Sequence, residues 1–272
     1  MIVYPSVLIV GGVDPTSGAG ITLDVRVAEN LGVHGFLAAT AVTAQNSSGV
    51  LSYESVSHEV FSSQLKSIVE EFSPKAIKVG LITEQYQLSE MEKIQSKLGC
   101  AIVWDPVLSS SSGSQLSEPE LIKKGIRMLN SQICLFTPNF SEVEELTGIK
   151  IGSEDDLKNA GSMLLDQGIQ SVLIKGGHSI VNSDDAIDYF CNADEAFWVS
   201  SKRITDAHEV RGTGCTLSTA ISSLIAADYD PRDAIVLAKG MITENLKAMH
   251  IQGNMKFQGL SCLLYTSDAA DD

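Results

Sequence analysis

Basic residues are scarce in this chain. Its 272 residues carry 19 Lys and Arg against 34 Asp and Glu, a formal net charge of -15. A surface so acidic repels DNA, RNA and anionic lipid, so neither a nucleic acid nor a membrane is expected as a partner. Long apolar runs are missing as well. No stretch reaches the roughly 18 apolar residues that a membrane-spanning helix needs. The opening MIVYPSVLIVGGVD lacks the basic start and small-residue cleavage site of a secretory signal. Cysteine is sparse and unpatterned: the five stand at 100, 134, 191, 215 and 262, an odd count with no CxxC spacing. That argues against a disulfide framework or a zinc site, and the expected location is the reducing cytoplasm. Repeats and low-complexity linkers are also lacking. With 44% hydrophobic residues, one well-filled domain over 1–259 is expected. The final segment 260–272, LSCLLYTSDAADD, has no helix or strand logic joined to what precedes it. It reads as a non-native or disordered tail, similar to translated adaptor read-through.

What the chain does contain is alternation. Short β-branched runs such as SVLIVGG (6–12), GFLAATAVTAQN (35–46), AIKVGLI (76–82), AIVWDPVL (101–108), CLFTPN and SVLIKGG (171–177) are separated by amphipathic stretches. In AGITLDVRVAENLG (19–32), Ile21, Val25, Ala28 and Leu31 fall at helical spacing before Gly32. In VFSSQLKSIVEEF (60–72), Phe61, Leu65, Ile68 and Phe72 do the same. Two helices, 213–228 and 231–248, close the pattern. Strands alternating with helices predict an α/β protein with a mainly parallel central sheet covered on both faces. In such a sheet ligands sit beyond the carboxyl ends of the strands, and the unusual residues follow strands. The Ser/Gly stretch 109–115 also follows a strand and reads as a mobile loop beside the site.

Each of these residues has a functional and a structural reading. VRGTGCTLSTAI (210–221) starts a helix on Gly212-Thr213-Gly214-Cys215. A helix start offers unpaired N–H groups and partial positive charge to a phosphate, and the same dipole is expected to lower the pKa of a cysteine there. The alternative is a plain glycine turn with a buried thiol. GGVDPTSGAG (11–20) has the composition of a phosphate-binding turn but matches neither GxGxxG nor GxxxxGK[ST], which argues against a dehydrogenase and a Walker NTPase. Asp14 either meets a ligand hydroxyl or caps the next helix. Asn139 and Glu142 either hold Mg2+ through its waters, with Asp105 joining them, or form a helix cap. Lys175, in KGGH, either reaches nucleotide phosphates or is a surface lysine. Gln45-Asn46 suits an amino-substituted heterocycle, or a turn.

Taken in order, GGVDPTSGAGI, TAQN, KVGLI, DPVL, TPNFSEVEELTG, VLIKGGH and GTGCTLSTAI resemble the hydroxymethylpyrimidine/phosphomethylpyrimidine kinases of thiamine biosynthesis. The resemblance runs from about residue 6 to about residue 250. It implies a ribokinase-like three-layer α/β sandwich that uses ATP and Mg2+ and phosphorylates 4-amino-5-hydroxymethyl-2-methylpyrimidine or its monophosphate. By the same resemblance Gly11, Asp14, Gln45, Gly80 and Val107 face the pyrimidine. Lys175, Gly177 and Asn139 face the nucleotide, and Glu142 and Asp105 serve the metal. Gly212, Thr213 and Gly214 form the anion hole, and Cys215 is the base. A homodimer is implied too. The chain departs from the family pattern at Val13, where serine is usual, at Arg211, where histidine is common, and at Glu209, where asparagine is found. A pyridoxine/pyridoxal kinase of the same fold is the runner-up, followed by a non-catalytic pyrimidine-binding module.

Overall fold

The computed structural model describes residues 4–110, 113–176, 184–204 and 210–260. Its frame is a sheet in the order β3-β2-β1-β4-β5-β6-β7-β8-β9. The strands are β1 (Ser6–Val13), β2 (His34–Asn46), β3 (Gly49–Ser55), β4 (Ala76–Val79), β5 (Ala101–Trp104), β6 (Ile133–Phe136), β7 (Ser171–Ile174), β8 (Asp185–Asn192) and β9 (Ala196–Lys202). The six from β2 to β7 run parallel. β3 pairs antiparallel at one edge, and β8 and β9 at the other. The parallel centre matches expectation. The antiparallel edges do not appear in the sequence reading, because edge strands mix exposed polar residues into their pattern and blur the apolar run.

Helices cover both faces. On one side α2 (His58–Glu71), α3 (Gln85–Leu98), α4 (Pro119–Leu129), α5 (Phe140–Thr147) and α6 (Glu154–Leu165) enclose a core that includes Phe61, Leu88, Trp104, Ile126, Phe136, Val143 and Leu164. On the other lie α1 (Gly20–Asn30), α7 (Thr213–Ala226) and α8 (Pro231–Lys247), packed through Leu23, Val27, Leu217, Ile221, Ala234 and Ile242. This is the expected three-layer α/β/α sandwich. A small hairpin, β10 (His250–Gln252) and β11 (Met255–Phe257), follows α8. Leu260 packs partly buried against the second core, so structured chain runs one residue into the segment read as tail; Cys262 and the rest of 260–272 lie outside the described residues.

Two details bear on the site. Helix α1 buries Leu23, Asp24 and Val27 besides Ile21 and Ala28, an arc wider than the predicted stripe, because α7 packs on its flank while the sheet lies beneath it. Helix α7 is buried almost all round from Thr216 to Leu224. Its Thr, Ser and Ala residues let it lie close to α1, α8 and the sheet. Phe72, placed on the buried stripe of α2 by spacing, caps that helix instead at 44% exposure.

Candidate active site

Strand order reverses direction at β1: β2 lies on one side of it and β4 on the other. That is the switch point where an open parallel sheet leaves a crevice beyond its carboxyl ends. The loop after β1 carries Asp14, that after β4 carries Gly80, that after β5 carries Asp105 and Val107, that after β6 carries Asn139, and Lys175 directly follows β7. The sequence expectation that the unusual residues gather at strand ends therefore holds.

Helix α7 begins among them. Its N-cap is Gly212 at φ +74°, and the first intrahelical bond runs from Thr216 N to Gly212 O, 2.8 Å. The N–H groups of Thr213, Gly214 and Cys215 thus have no intrahelical acceptor and point out of the helix start. A Cβ on Gly214 would stand 3.1 Å from Lys175 Nζ and 3.7 Å from Asp105 Oδ2. Gly214 leaves no side chain between the helix-start amides and the Lys175 ammonium, and amides together with an ammonium are a combination that can cradle an anion.

Lys175 forms an ion pair with Asp105 Oδ1. Asp105 is buried, and its Oδ2 accepts from Ser218 Oγ of α7 at 3.3 Å. Burial works against charge on Lys175, but Asp105 and Glu142 outweigh it and hold its pKa above the usual lysine value. Lys175 is therefore a firm cation in the cradle rather than a surface lysine. Gly177 and His178 lie outside the described residues, as does Glu209.

Asn139 and Glu142 adopt the capping arrangement. Asn139 Oδ1 accepts from Glu142 N at 3.0 Å, and Glu142 Oε2 accepts from Asn139 N at 2.7 Å. Glu142 is buried, and burial pushes its carboxyl up to about 7 against the pull of Lys175, with Asp105 adding to the rise. Among the described residues no three His, Cys, Asp or Glu gather into a metal cage. Magnesium needs no such cage: it takes one or two carboxylates and completes its shell with water and phosphate. Asp105 and Glu142 beside Lys175 fit that demand.

Asp14 serves its own loop. Oδ1 accepts from Thr16 N and Thr16 Oγ1, both 2.8 Å, and Oδ2 accepts from Ala19 N, 2.9 Å. The carboxylate shapes the turn leading into α1, close to the structural reading. The turn then meets α7, because the Gly18 carbonyl abuts Gly212. Gly11 lines β1 beside Leu81 and Gly80, and Gly80 N donates to Val10 O at 2.8 Å. Val107 is partly buried and packs on Ala41, Leu81 and Leu116. Gln45 pairs with Val50 in the β2–β3 arm and is partly buried. Asn46 makes the turn, its Oδ1 accepting from Ser48 N at 2.8 Å. Within the described part of 109–115, Ser110 N donates to Ser114 O at 2.8 Å; residues 111 and 112 lie outside the described residues.

Cys215 requires a correction. The helix start was expected to depress its pKa; instead burial pushes the thiol up to about 11. Lys78 and the N–H of Gly20 favour the thiolate, while Asp24 and Asp105 oppose it. Desolvation outweighs the dipole because the sulfur is packed between α1, β4 and α7.

Sequence reasoning missed the charges behind that sulfur. Lys78 Nζ lies 2.6 Å from Asp24 Oδ2 with both side chains buried, and Thr219 Oγ1 donates to Asp24 Oδ1 at 2.8 Å. The available signals were an aspartate within the buried arc of α1 and a lysine inside the apolar strand AIKV.

Comparison with known proteins shows the family and the fold. A family model described as phosphomethylpyrimidine kinase matches residues 14–259. A hydroxymethylpyrimidine/phosphomethylpyrimidine kinase of Streptomyces coelicolor is 33% identical over 244 residues, 90% of this chain and 89% of that one. The crystal structure of phosphomethylpyrimidine kinase from Clostridium difficile superposes with a TM-score of 0.75 at 33% identity, covering 88% of this chain and 98% of that one. An ADP complex of Bacillus subtilis pyridoxal kinase reaches a TM-score of 0.86 at 24% identity, over 97% of this chain and all of that one, a likeness of fold. The ribokinase-like architecture is thereby shown.

Proposed function

Because the chain belongs to the phosphomethylpyrimidine kinase family, and so is a phosphotransferase, we propose that it moves the γ-phosphoryl group of ATP onto 4-amino-5-hydroxymethyl-2-methylpyrimidine or its monophosphate, in thiamine biosynthesis. The observation that carries this reading is the cradle at Gly214, where the head of α7, Lys175 and Asp105 converge. The acceptor oxygen bonds to the γ-phosphorus as the bond from that phosphorus to the β-phosphate bridging oxygen breaks. The amides of Thr213 to Cys215 and the Lys175 ammonium receive the charge on the phosphoryl oxygens, and positioning and electrostatics supply most of the rate. Magnesium, when bound, shields the β- and γ-phosphates, and Asp105 and Glu142 are the side chains that would hold it.

Cys215 is the reading's proton acceptor. With its thiol at about 11, the accepting thiolate is a small fraction at neutral pH. Gln45, near the carboxyl end of β2, is in this reading the residue that recognises the pyrimidine amino group and ring nitrogen. The homodimer belongs to this reading as well; Val42, Leu51 and Tyr53 are exposed on β2 and β3. No described helix is long and apolar enough to cross a membrane; cytoplasmic work on small substrates is part of the reading.

The test is an ATP-consumption assay with the pyrimidine alcohol, its monophosphate and pyridoxal side by side. Turnover of the pyrimidines is expected to dominate. Exclusive turnover of pyridoxal would replace this substrate assignment, and no consumption with any of the three would end it.

A further inference from the structure

The Asp24–Lys78 pair is not needed to build the sheet. A buried ion pair is a weak source of stability, and apolar side chains of similar volume would serve the core as well or better. Its placement is more informative. Lys78 leaves β4 near its carboxyl end and curls upward, so that a Cβ on Gly80 would stand 3.0 Å from its Nζ. The ammonium therefore sits at the level of the crevice. Asp24 Oδ2 fixes it from α1 at 2.6 Å, and Asp24 Oδ1 is fixed in turn by Thr219 Oγ1 at 2.8 Å. Thr219 lies four residues after Cys215, one helical turn below it on the same face of α7. The pair thus stands directly behind the sulfur.

Building on the reading of Cys215 as the proton acceptor, we infer that Lys78, clamped by Asp24 and Thr219, is a positioning residue for the reaction: its ammonium is the fixed counter-charge to the Cys215 thiolate, the form that then takes the acceptor's proton and becomes the neutral thiol. The other charges facing this sulfur are Asp24 from α1 and Asp105 from the loop after β5, with Lys175 beyond Asp105. Lys175 is already engaged by Asp105 at the phosphate side. Lys78 is the cation on the acceptor side, which divides the two lysines between two charges: one for the phosphoryl oxygens, one for the sulfur.

The clamp makes a prediction of opposite signs. In the full-length protein, the rate of Cys215 alkylation by iodoacetamide is followed from pH 7 to 9, with the modified peptide quantified by mass spectrometry. Lys78→Gln is expected to slow alkylation by about tenfold, a shift of about one pH unit. Asp24→Asn is expected to speed it by at least that factor, because the sulfur becomes the nearest group able to balance Lys78. The double variant Asp24→Asn/Lys78→Gln is expected near the wild-type rate. Loosened packing would expose the thiol and accelerate all three, and that result, or no change in either single variant, overturns the inference. If Lys78→Gln does not fold, Asp24→Asn decides alone: a rate equal to or below wild type overturns it. Turnover of Cys215→Ala is measured separately. Full activity there would remove the proton-acceptor reading and the catalytic role built on it, while the alkylation rates would still report whether the clamp acts on the sulfur.

Discussion

Gly212 lies against Gly18 so closely that a Cβ on it would stand 2.2 Å from the Gly18 carbonyl oxygen. The same residue holds φ at +74°, a region that disfavours side chains by about 1–2 kcal/mol. The glycine-rich turn after β1 and the glycine-rich start of α7 are therefore one structure, two loops in contact. Gly212→Ala must either displace the Gly18 turn or tilt the first amides of α7. A misplacement of about 1 Å costs on the order of 100-fold in rate. We expect that loss in kcat together with a lowered Tm, measured by steady-state kinetics and thermal denaturation. Unchanged kcat would show that the cradle tolerates the shift.

Cys215→Ala is expected to fold normally, since alanine fits a partly buried position in the first turn, and to lose most turnover while substrate affinity persists. The wild-type pH profile follows from the raised thiol. A base whose pKa lies near 11 gains its active form tenfold per pH unit below that value. The logarithm of kcat/KM should climb with pH through the neutral range, and the slope should vanish in Cys215→Ala. A flat wild-type profile would count against proton transfer to this sulfur.

Glu142→Ala should shift the magnesium titration of activity toward higher metal concentration. It also removes the acceptor for Asn139 N, so its stability is to be compared with that of Glu142→Gln, which keeps an acceptor but lacks the charge. A right-shifted titration in both variants is the expected result. A shift confined to Glu142→Ala would mark the residue as a cap alone.

Gln45→Ala should raise KM for the pyrimidine by about tenfold, the worth of one or two hydrogen bonds, with kcat nearly unchanged because the contact is made equally in ground and transition states. A fall in kcat at constant KM would move Gln45 from recognition to chemistry.

The parallel strands were legible because they are buried on both faces and read as unbroken apolar runs, and the site loops because ligand residues must follow such strands. Cys215 was legible as a position and misjudged as an acid. The dipole of a helix start can be inferred from Gly-Thr-Gly, but the depth of burial that overrides it depends on α1 and β4 and is absent from local sequence. Asn139 and Glu142 show the reverse: their i, i+3 spacing serves a cap and a metal equally, and the structure shows the cap while leaving the Glu142 carboxylate near Lys175. Asp24 and Lys78 escaped because each looks like an exception within an apolar element. Only the pairing across 54 residues explains either one.

That pairing bears on how the polypeptide reaches its final form. Asp24 meets Lys78 early in the sequence, but its second partner, Thr219, is 195 residues away, and Ser218 reaches Asp105 across 113. Until helix α7 docks, a carboxylate and an ammonium lie half-assembled in a closing interior, at an electrostatic cost that a partial structure has no means to relieve. Ends so far apart also meet slowly. Maturation is therefore expected to finish at α7, with the catalytic cradle appearing in the same step that completes the interior, so that no shortened intermediate carries a working centre.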